Sequence, residues 1–221
     1  TDGEMARLDA LAQEHGIPLI IDNAYGMPFP NIIYSDVTLN WHENIILCFS
    51  LSKIGLPGVR TGIIVAAPEV VKAVSSLNAI VNLSPTRFGA AIAAPLLNDG
   101  RLKQLADEVI QPFYRQQAQT AVSLLKRELG AYPLKIHKPE GAIFLWLWFE
   151  NLPVSSKTLY EMLKAEGTLI IPGEHFFVGI DTQDYPHAHE CIRMSIAQDA
   201  ETLEKGIAAI GRVVRGLYDK K

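Results

Sequence analysis

Apolar positions along the chain follow two rhythms, a three-to-four-residue recurrence and short unbroken runs, and these alternate through the first hundred residues. Thr1-Asp-Gly-Glu4 fits a capping box, with a hydroxyl three residues ahead of a Glu, and the stripe of Met5, Leu8 and Ala12 then predicts a helix reaching His15. Gly16 stops it, and Pro18-Leu-Ile-Ile21 is a short apolar run ending at Asp22. Further runs at Ile45–Phe49 and Gly62–Ala67 are apolar on both faces, which predicts a sheet covered by helices, an α/β arrangement. Helices are expected from Pro68 to about Asn78 and from Pro85 to Leu97.

One long helical pattern runs from Arg101 to about Leu129 with Pro112 inside it, and the character of the chain changes beyond it. Strands are expected near Leu134–His137 and Ala142–Phe149, a helix from Ser155 to Glu166, and a short strand at Thr168–Ile171. A loop rich in Gly and His follows, then a strand at Cys191–Ile196 and a closing helix from Asp199 to Tyr218. This predicts two domains, 1–112 and 113–221, the second a smaller α+β unit joined through the long helix. No internal repeat or low-complexity segment interrupts the pattern.

Composition narrows the class. The 221 residues are 48% hydrophobic and 20% charged, as in ordinary globular chains, and the net charge of −4 argues against a nucleic-acid-binding face. A chain of this length buries about 70% of its unfolded surface. The longest apolar run, Gly141–Phe149, is half the 18 or more residues of a membrane span and reads as a core strand. Neither a basic leader nor a signal-type stretch opens the chain, so a cytoplasmic location and no membrane partner are expected. Cys48 and Cys191 both lie in apolar runs, which predicts buried thiols in a reducing compartment rather than a disulfide.

Candidate chemistry gathers at strand ends. Asp22 and Lys53 each fall at or just past the carboxyl end of a predicted strand, the edge where open α/β sheets bind ligands. The segment Ser50-Leu-Ser52-Lys53 through Arg60 and Gly62 offers hydroxyls, an amine and a guanidinium, which is what a phosphorylated aldehyde cofactor needs. Each residue also has a plainer reading. Asp22 fits an Asx turn, Tyr25 ordinary packing, Lys53 a solvated loop, Ser50 and Ser52 turn positions, Arg60 a surface charge, and Arg193 half of an ion pair.

Taken together and in order, four motifs decide between these readings. Asp22-x-x-Tyr25, Ser50-x-Ser52-Lys53, Pro57-Gly-x-Arg60-x-Gly62 and Cys191-Ile-Arg193-Met-Ser resemble the pyridoxal-phosphate aminotransferases of fold type I, class I/II. The resemblance implies part of the large PLP-transferase domain followed by a small α+β domain, and a homodimer. It implies pyridoxal 5'-phosphate as cofactor, with Lys53 as the Schiff-base lysine, Asp22 on the ring nitrogen and Tyr25 on the phenolic oxygen. Ser50, Ser52 and Arg60 would then hold the phosphate, and Arg193 the substrate α-carboxylate as a bidentate pair. The small-molecule partners implied are an amino acid and a 2-oxo acid. Pro186–Ala197 and Ile21–Gly26 resemble the valine–pyruvate branch of the family, which implies a neutral aliphatic amino acid with pyruvate as acceptor.

The resemblance begins just after the family's Asn-Pro-x-x-Pro-Thr-Gly turn, and no initiator Met precedes Thr1. Upstream sequence is therefore expected, carrying the ring-stacking aromatic residue, a phosphate-binding turn and an Asn donor. The 221 residues alone are expected to hold cofactor weakly or not at all and not to turn over. Arg87 falls where the family approaches its partner subunit.

Three rival readings have definite discriminators. Ser50-x-x-Lys53 also matches serine acyl-transfer enzymes, but Gly55, Pro57 and Gly58 break the helix that mechanism uses. Glu174-His175 and His187-Ala-His189-Glu190 could suggest a metal site, yet they lack a second spaced ligand pair, and metal is not expected. A lining or lid segment before Arg193 suits this loop better. An aminotransferase-like sensor domain without catalysis would carry a DNA-binding segment upstream.

Overall fold

A computed structural model describes residues 1–35, 37–84 and 86–220. The chain divides into two compact units, Thr1–Phe113 and Tyr114–Lys221.

In the first unit, helix α1 (Asp2–Glu14) starts at the expected capping box. The Thr1 side chain accepts from Glu4 N while the Glu4 carboxylate reaches back to Thr1. Gly16 then takes a left-handed φ of 62° and turns the chain into β1 (Leu19–Asp22). Strand β2 (Ile45–Ser50) pairs parallel with β1, and β3 (Gly62–Val65) pairs antiparallel with β2. The antiparallel turn follows from the connection, since residues 51–61 are too few for a crossover helix and instead form two short 3-10 turns, Ser52–Ile54 and Pro57–Val59.

One face of this sheet is a core. Ile45, Leu47 and Phe49 pack with Phe29, Leu51, Ile54, Ala93, Leu102 and Ala106. Helices α2 (Pro68–Val81), α3 (Phe88–Asn98) and α4 (Arg101–Leu105) follow β3. The α/β arrangement is as expected, but within the described residues the second face of the sheet is only partly covered. The other face carries Ile20, Asp22, Ile46, Cys48, Ser50 and Ile64, with Ile20 64% and Ile64 41% exposed. Cys48 is accordingly only half-buried, not the buried thiol expected. The third helix begins at Phe88; its expected start, Pro85, lies outside the described residues.

The long helical pattern is real but not uniform. A π turn, Ala106–Ile110, separates α4 from α5 (Gln111–Leu129), and the boundary between units falls within α5. Pro112 follows directly on the π turn, where the helical hydrogen-bond ladder has already changed register.

The second unit holds β4 (Leu134–Ile136), β5 (Phe144–Phe149), α6 (Ser156–Ala165), β6 (Ile171–Pro172), α7 (Pro186–Glu190), β7 (Cys191–Ser195) and α8 (Ala200–Tyr218). The sheet order is β4-β5-β7-β6, antiparallel throughout. Alternation along β5 sends Leu145, Leu147 and Phe149 inward, where Ile192 and Met194 are also buried. Buried Leu125, Leu129, Leu163, Ile207, Ile210 and Val214 complete the apolar interior from α5, α6 and α8. Two expectations shift. The strand foreseen at Thr168–Ile171 forms later, at Ile171–Pro172, because Gly167 (φ 75°) is still turning the chain out of α6. The Gly- and His-rich loop contains a 3-10 turn, Gly173–Phe176, and α7.

Candidate active site

Asp22 is the last residue of β1, and Lys53 lies in the 3-10 turn after β2, so both sit at the carboxyl edge of the parallel pair. Register places Asp22 opposite Cys48, and Ser50 follows two residues on, so Asp22, Cys48 and Ser50 share the open face. Burial first, and then the Asp22 charge, push the Cys48 thiol above its ordinary value. Asp22 Oδ1 accepts from Ala24 N at 3.2 Å, so the Asx-turn reading holds as local geometry, while the exposed carboxylate keeps further acceptor capacity.

Residues 23–27 form a compact turn. Asn23, nearly buried, donates from Nδ2 to Met27 O at 2.6 Å and from its backbone N to Cys48 O at 2.8 Å. A Cβ on Gly26 would come within 2.0 Å of Asn23 Oδ1, so only glycine fits there. This turn presents Tyr25, whose ring centroid lies 5.6 Å from Lys53 Nζ. Asn23 and Gly26 thus position Tyr25, a role the sequence pattern did not reveal, although both lie inside the motif.

The loop between β2 and β3 is closed at its neck by Leu51 N donating to Thr61 O at 3.2 Å, with Leu51 wholly buried beneath it. Ser50 and Ser52 flank that anchor, and Ser50 Oγ accepts from Ser52 N at 3.1 Å. Arg60 adopts a left-handed φ of 47°, a strained conformation for a residue with a Cβ, and donates from Nη1 to Pro57 O at 3.3 Å. Asp22, Tyr25, Ser50, Ser52, Lys53 and Arg60 therefore belong to one edge of one unit.

Arg193 belongs to the other unit, on the outward face of β7 opposite Trp146. Its guanidinium carbon lies 4.1 Å from the Phe144 ring centroid and 4.7 Å from that of Phe176. Its Nε is buried without a hydrogen-bond partner among the described residues. A buried donor left unpaired is costly and marks a place where an acceptor belongs. Among the described residues Arg193 forms no ion pair. Phe144 and Phe176 were missed by sequence reasoning, although a Phe two positions before Trp146 on an outward strand face was a readable signal.

His189, Glu174 and Glu190 of the 174–190 segment already have hydrogen-bond partners. His189 pairs with Glu174 and Thr182 O, and Glu190 accepts from Trp148 Nε1 and Asn151 N. Among the described residues no group of three or more His, Cys, Asp or Glu could hold a metal ion, and no helix is long and apolar enough to cross a membrane. A cavity of about 660 Å³ in the second unit, between Glu166–Ile170 and α8, is lined by none of the candidate residues.

The model of the family described as aminotransferase class I and II matches residues 2–210, and the chain belongs to that family. Valine–pyruvate aminotransferase of Escherichia coli (strain K12) is 47% identical over 97% of this chain and 51% of its own length. Among solved structures, a putative amino-acid aminotransferase from Psychrobacter arcticum 273-4 is 69% identical with a TM-score of 0.97, covering all of this chain and 51% of that one. Valine–pyruvate aminotransferase from Salmonella typhimurium LT2 is 44% identical with a TM-score of 0.93, covering all of this chain and 57% of that one. The chain thus spans about half the length of the relatives it matches.

Proposed function

We propose that the full-length protein transfers the amino group of a neutral aliphatic amino acid, valine, to pyruvate, using pyridoxal 5'-phosphate held by Lys53. Valine and pyruvate become 3-methyl-2-oxobutanoate and alanine. The observation that carries this reading is the donor set at the β1–β2 edge, an amine beside a tyrosine with a carboxylate, two hydroxyls and a guanidinium around them, in a chain 47% identical to a valine–pyruvate aminotransferase.

The residues fit the cofactor chemically. Asp22 and Ser50 share the open face, which leaves room for a flat ring, and Arg60 has donors to spare beyond its single bond to Pro57 O. When bound, pyridoxal phosphate supplies an electron sink for negative charge at the substrate's Cα. Asp22 holds a proton on the ring nitrogen, which keeps that sink strong. Tyr25 Oη donates to the ring's phenolic oxygen. Ser50 and Ser52 hydroxyls and the Arg60 guanidinium bind the phosphate oxygens. Lys53 Nζ would hold the cofactor through its amine and would move the proton at the substrate's Cα. Arg193 takes the α-carboxylate, its planar fork matching a planar anion.

The units Thr1–Phe113 and Tyr114–Lys221 then correspond to part of a large cofactor domain and a small substrate-binding domain, with a cytoplasmic homodimer as the working assembly. The 221 residues alone are expected to bind cofactor weakly or not at all and not to turn over. Borohydride reduction of the full-length protein loaded with pyridoxal phosphate, followed by peptide mapping, tests the reading. A label on Lys53 supports it; a label on another lysine, or none, ends it. Valine–pyruvate exchange by the full-length protein but not by the 221-residue chain completes the test.

A further inference from the structure

The segment between β6 and β7 is fastened at three points. At its start, a Cβ on Gly173 would stand 2.7 Å from Cys191 O and 2.9 Å from Ala188 O, so the first residue of the segment lies directly on the backbone of its last turn. At its end, His189 places Nδ1 3.0 Å from Glu174 Oε2 and Nε2 3.0 Å from Thr182 O. Each ring nitrogen therefore has one partner oxygen within hydrogen-bond reach, a carboxylate at one end and a carbonyl at the other. One side chain thereby ties the beginning, middle and end of the segment together.

What this fastening holds is Phe176. The ring is pinned edge-on by Trp146 at 5.2 Å between centroids and lies over the Arg193 guanidinium, yet the residue remains 42% exposed. Phe144 contacts the same guanidinium from β5. A second aromatic set, Phe177, Tyr185 and His187, braces the segment against Trp148, with His187 edge-on to Trp148 at 4.6 Å. An arginine held by ring faces loses rotamer freedom before any anion arrives, so less is lost on binding.

We propose that Gly173–Glu190 is a buckle, closed by His189 on Glu174 and Thr182, that sets the Arg193 guanidinium for a carboxylate by holding Phe176 over it. His189 and Phe176 are then positioning residues for carboxylate recognition. The inference rests on the reading of Arg193 as the α-carboxylate holder.

The test uses the full-length holoenzyme with four substitutions: Arg193→Leu, His189→Leu, Phe176→Leu and Phe176→Tyr. Three readouts are taken: KM and kcat for valine and pyruvate, calorimetric affinity for 3-methylbutanoate, and the single-turnover rate with 2-methylpropylamine, an amine without a carboxylate. His189→Leu and Phe176→Leu should each raise KM and weaken 3-methylbutanoate binding about 10-fold, the scale of one cation–π contact with its ordering. They should change the amine rate less than about 2-fold, and Phe176→Tyr, which keeps the ring, should stay within about 2-fold of the parent throughout. If His189→Leu and Phe176→Leu slow valine and the amine equally, the segment is structural only and the proposal is overturned. It is also overturned if both leave KM unchanged while Arg193→Leu raises it. Should Arg193→Leu itself fail to separate carboxylate from amine, the reading of Arg193 falls, and the buckle's purpose with it. Phe176 is surface-exposed, so its variants keep the test decisive even where His189→Leu does not fold.

Discussion

The two units bury their sheets differently. In the second, the inward residues of β5 and β7 are almost wholly covered, and α5, α6 and α8 all contribute buried positions. In the first, the sheet is well covered on one face only, and α2 buries none of its 14 residues, although Val71, Val74, Leu77 and Val81 repeat at helical spacing. A helical stripe of this kind ordinarily faces a core. The difference teaches where each unit's stability resides: the second in its own interior, the first in a single-sided core with apolar surface to spare. The candidate chemistry follows the same division, since six of the seven site residues lie at the edge of the sparsely covered sheet.

The contrast breaks most readily at the centre of the second unit. Leu147 is fully buried in the middle of β5, and Leu147→Ala removes packing on every side. We expect a loss of about 2–5 kcal/mol in urea unfolding, the range for a buried leucine truncated to alanine. A loss below about 1 kcal/mol would mean that this interior is not the closed core described.

A somewhat smaller effect is expected in the first unit at Gly89, where α3 meets the loop carrying Arg60. A Cβ there would stand 2.1 Å from Thr61 Oγ1 and 3.0 Å from Val59 Cγ2, and Thr61 Oγ1 already donates to Val59 O. Gly89→Ala must push the helix and loop apart, at about 1–3 kcal/mol. Because the loop moves, cofactor retention by the full-length protein should fall as well. An unchanged melting temperature with unchanged cofactor content would contradict the close approach.

Much of this contrast was legible from residue order, and the exceptions share a cause. The capping box at Thr1, the run at Ile45 and the Asp199-led closing helix are local features that form where the pattern placed them, while the strand expected from Ala142 starts two residues later, at Phe144, because Ala142 takes a left-handed φ of 65°. Aromatic neighbours of Arg193 were not legible, because Phe176 reaches it only after a turn whose path depends on Gly173 and His189 packing across the fold. Nor was the open face of the first sheet. Ile20 and Ile64 read as buried positions because hydrophobicity records what a residue favours, not whether anything covers it. The π turn at Ala106–Ile110 likewise leaves no period of its own in so short a span.

Electrostatics sharpens the comparison on a finer scale. In the second unit, Arg215 Nη1 bonds Glu128 O at 2.8 Å and Glu128 Oε2 at 2.9 Å, tying α8 to the last turn of α5. Arg215 foremost, with Arg127 behind it and burial opposing, holds the Glu128 carboxyl below the usual carboxylate range. A depressed folded-state value stabilises the protein above the unfolded carboxyl's value and is lost as pH falls through the folded one. Arg215→Gln should therefore cost about 1 kcal/mol near neutrality, discounted for partial exposure. Its deficit should shrink below about pH 4. A deficit constant from pH 7 to pH 3 would place the contribution in the backbone contact alone.

The smallest expected effect tests the first unit's open surface. Leu77 is 61% exposed on α2, on the same stripe as Val74 and Val81. In the 221-residue chain, Leu77→Ser removes little burial, and serine's lower helix propensity is worth only a few tenths of a kcal/mol. Unfolding should shift by less than about 0.5 kcal/mol, while binding of a hydrophobic dye to the folded chain should drop as the apolar stripe is interrupted. The joint outcome is informative because the two measurements respond to different things, one to packing within the chain and the other to apolar surface facing water. A stability loss comparable to that of Leu147→Ala would show that α2 is packed in solution, and the contrast between the two units would then narrow to the uncovered face of the β1–β3 sheet.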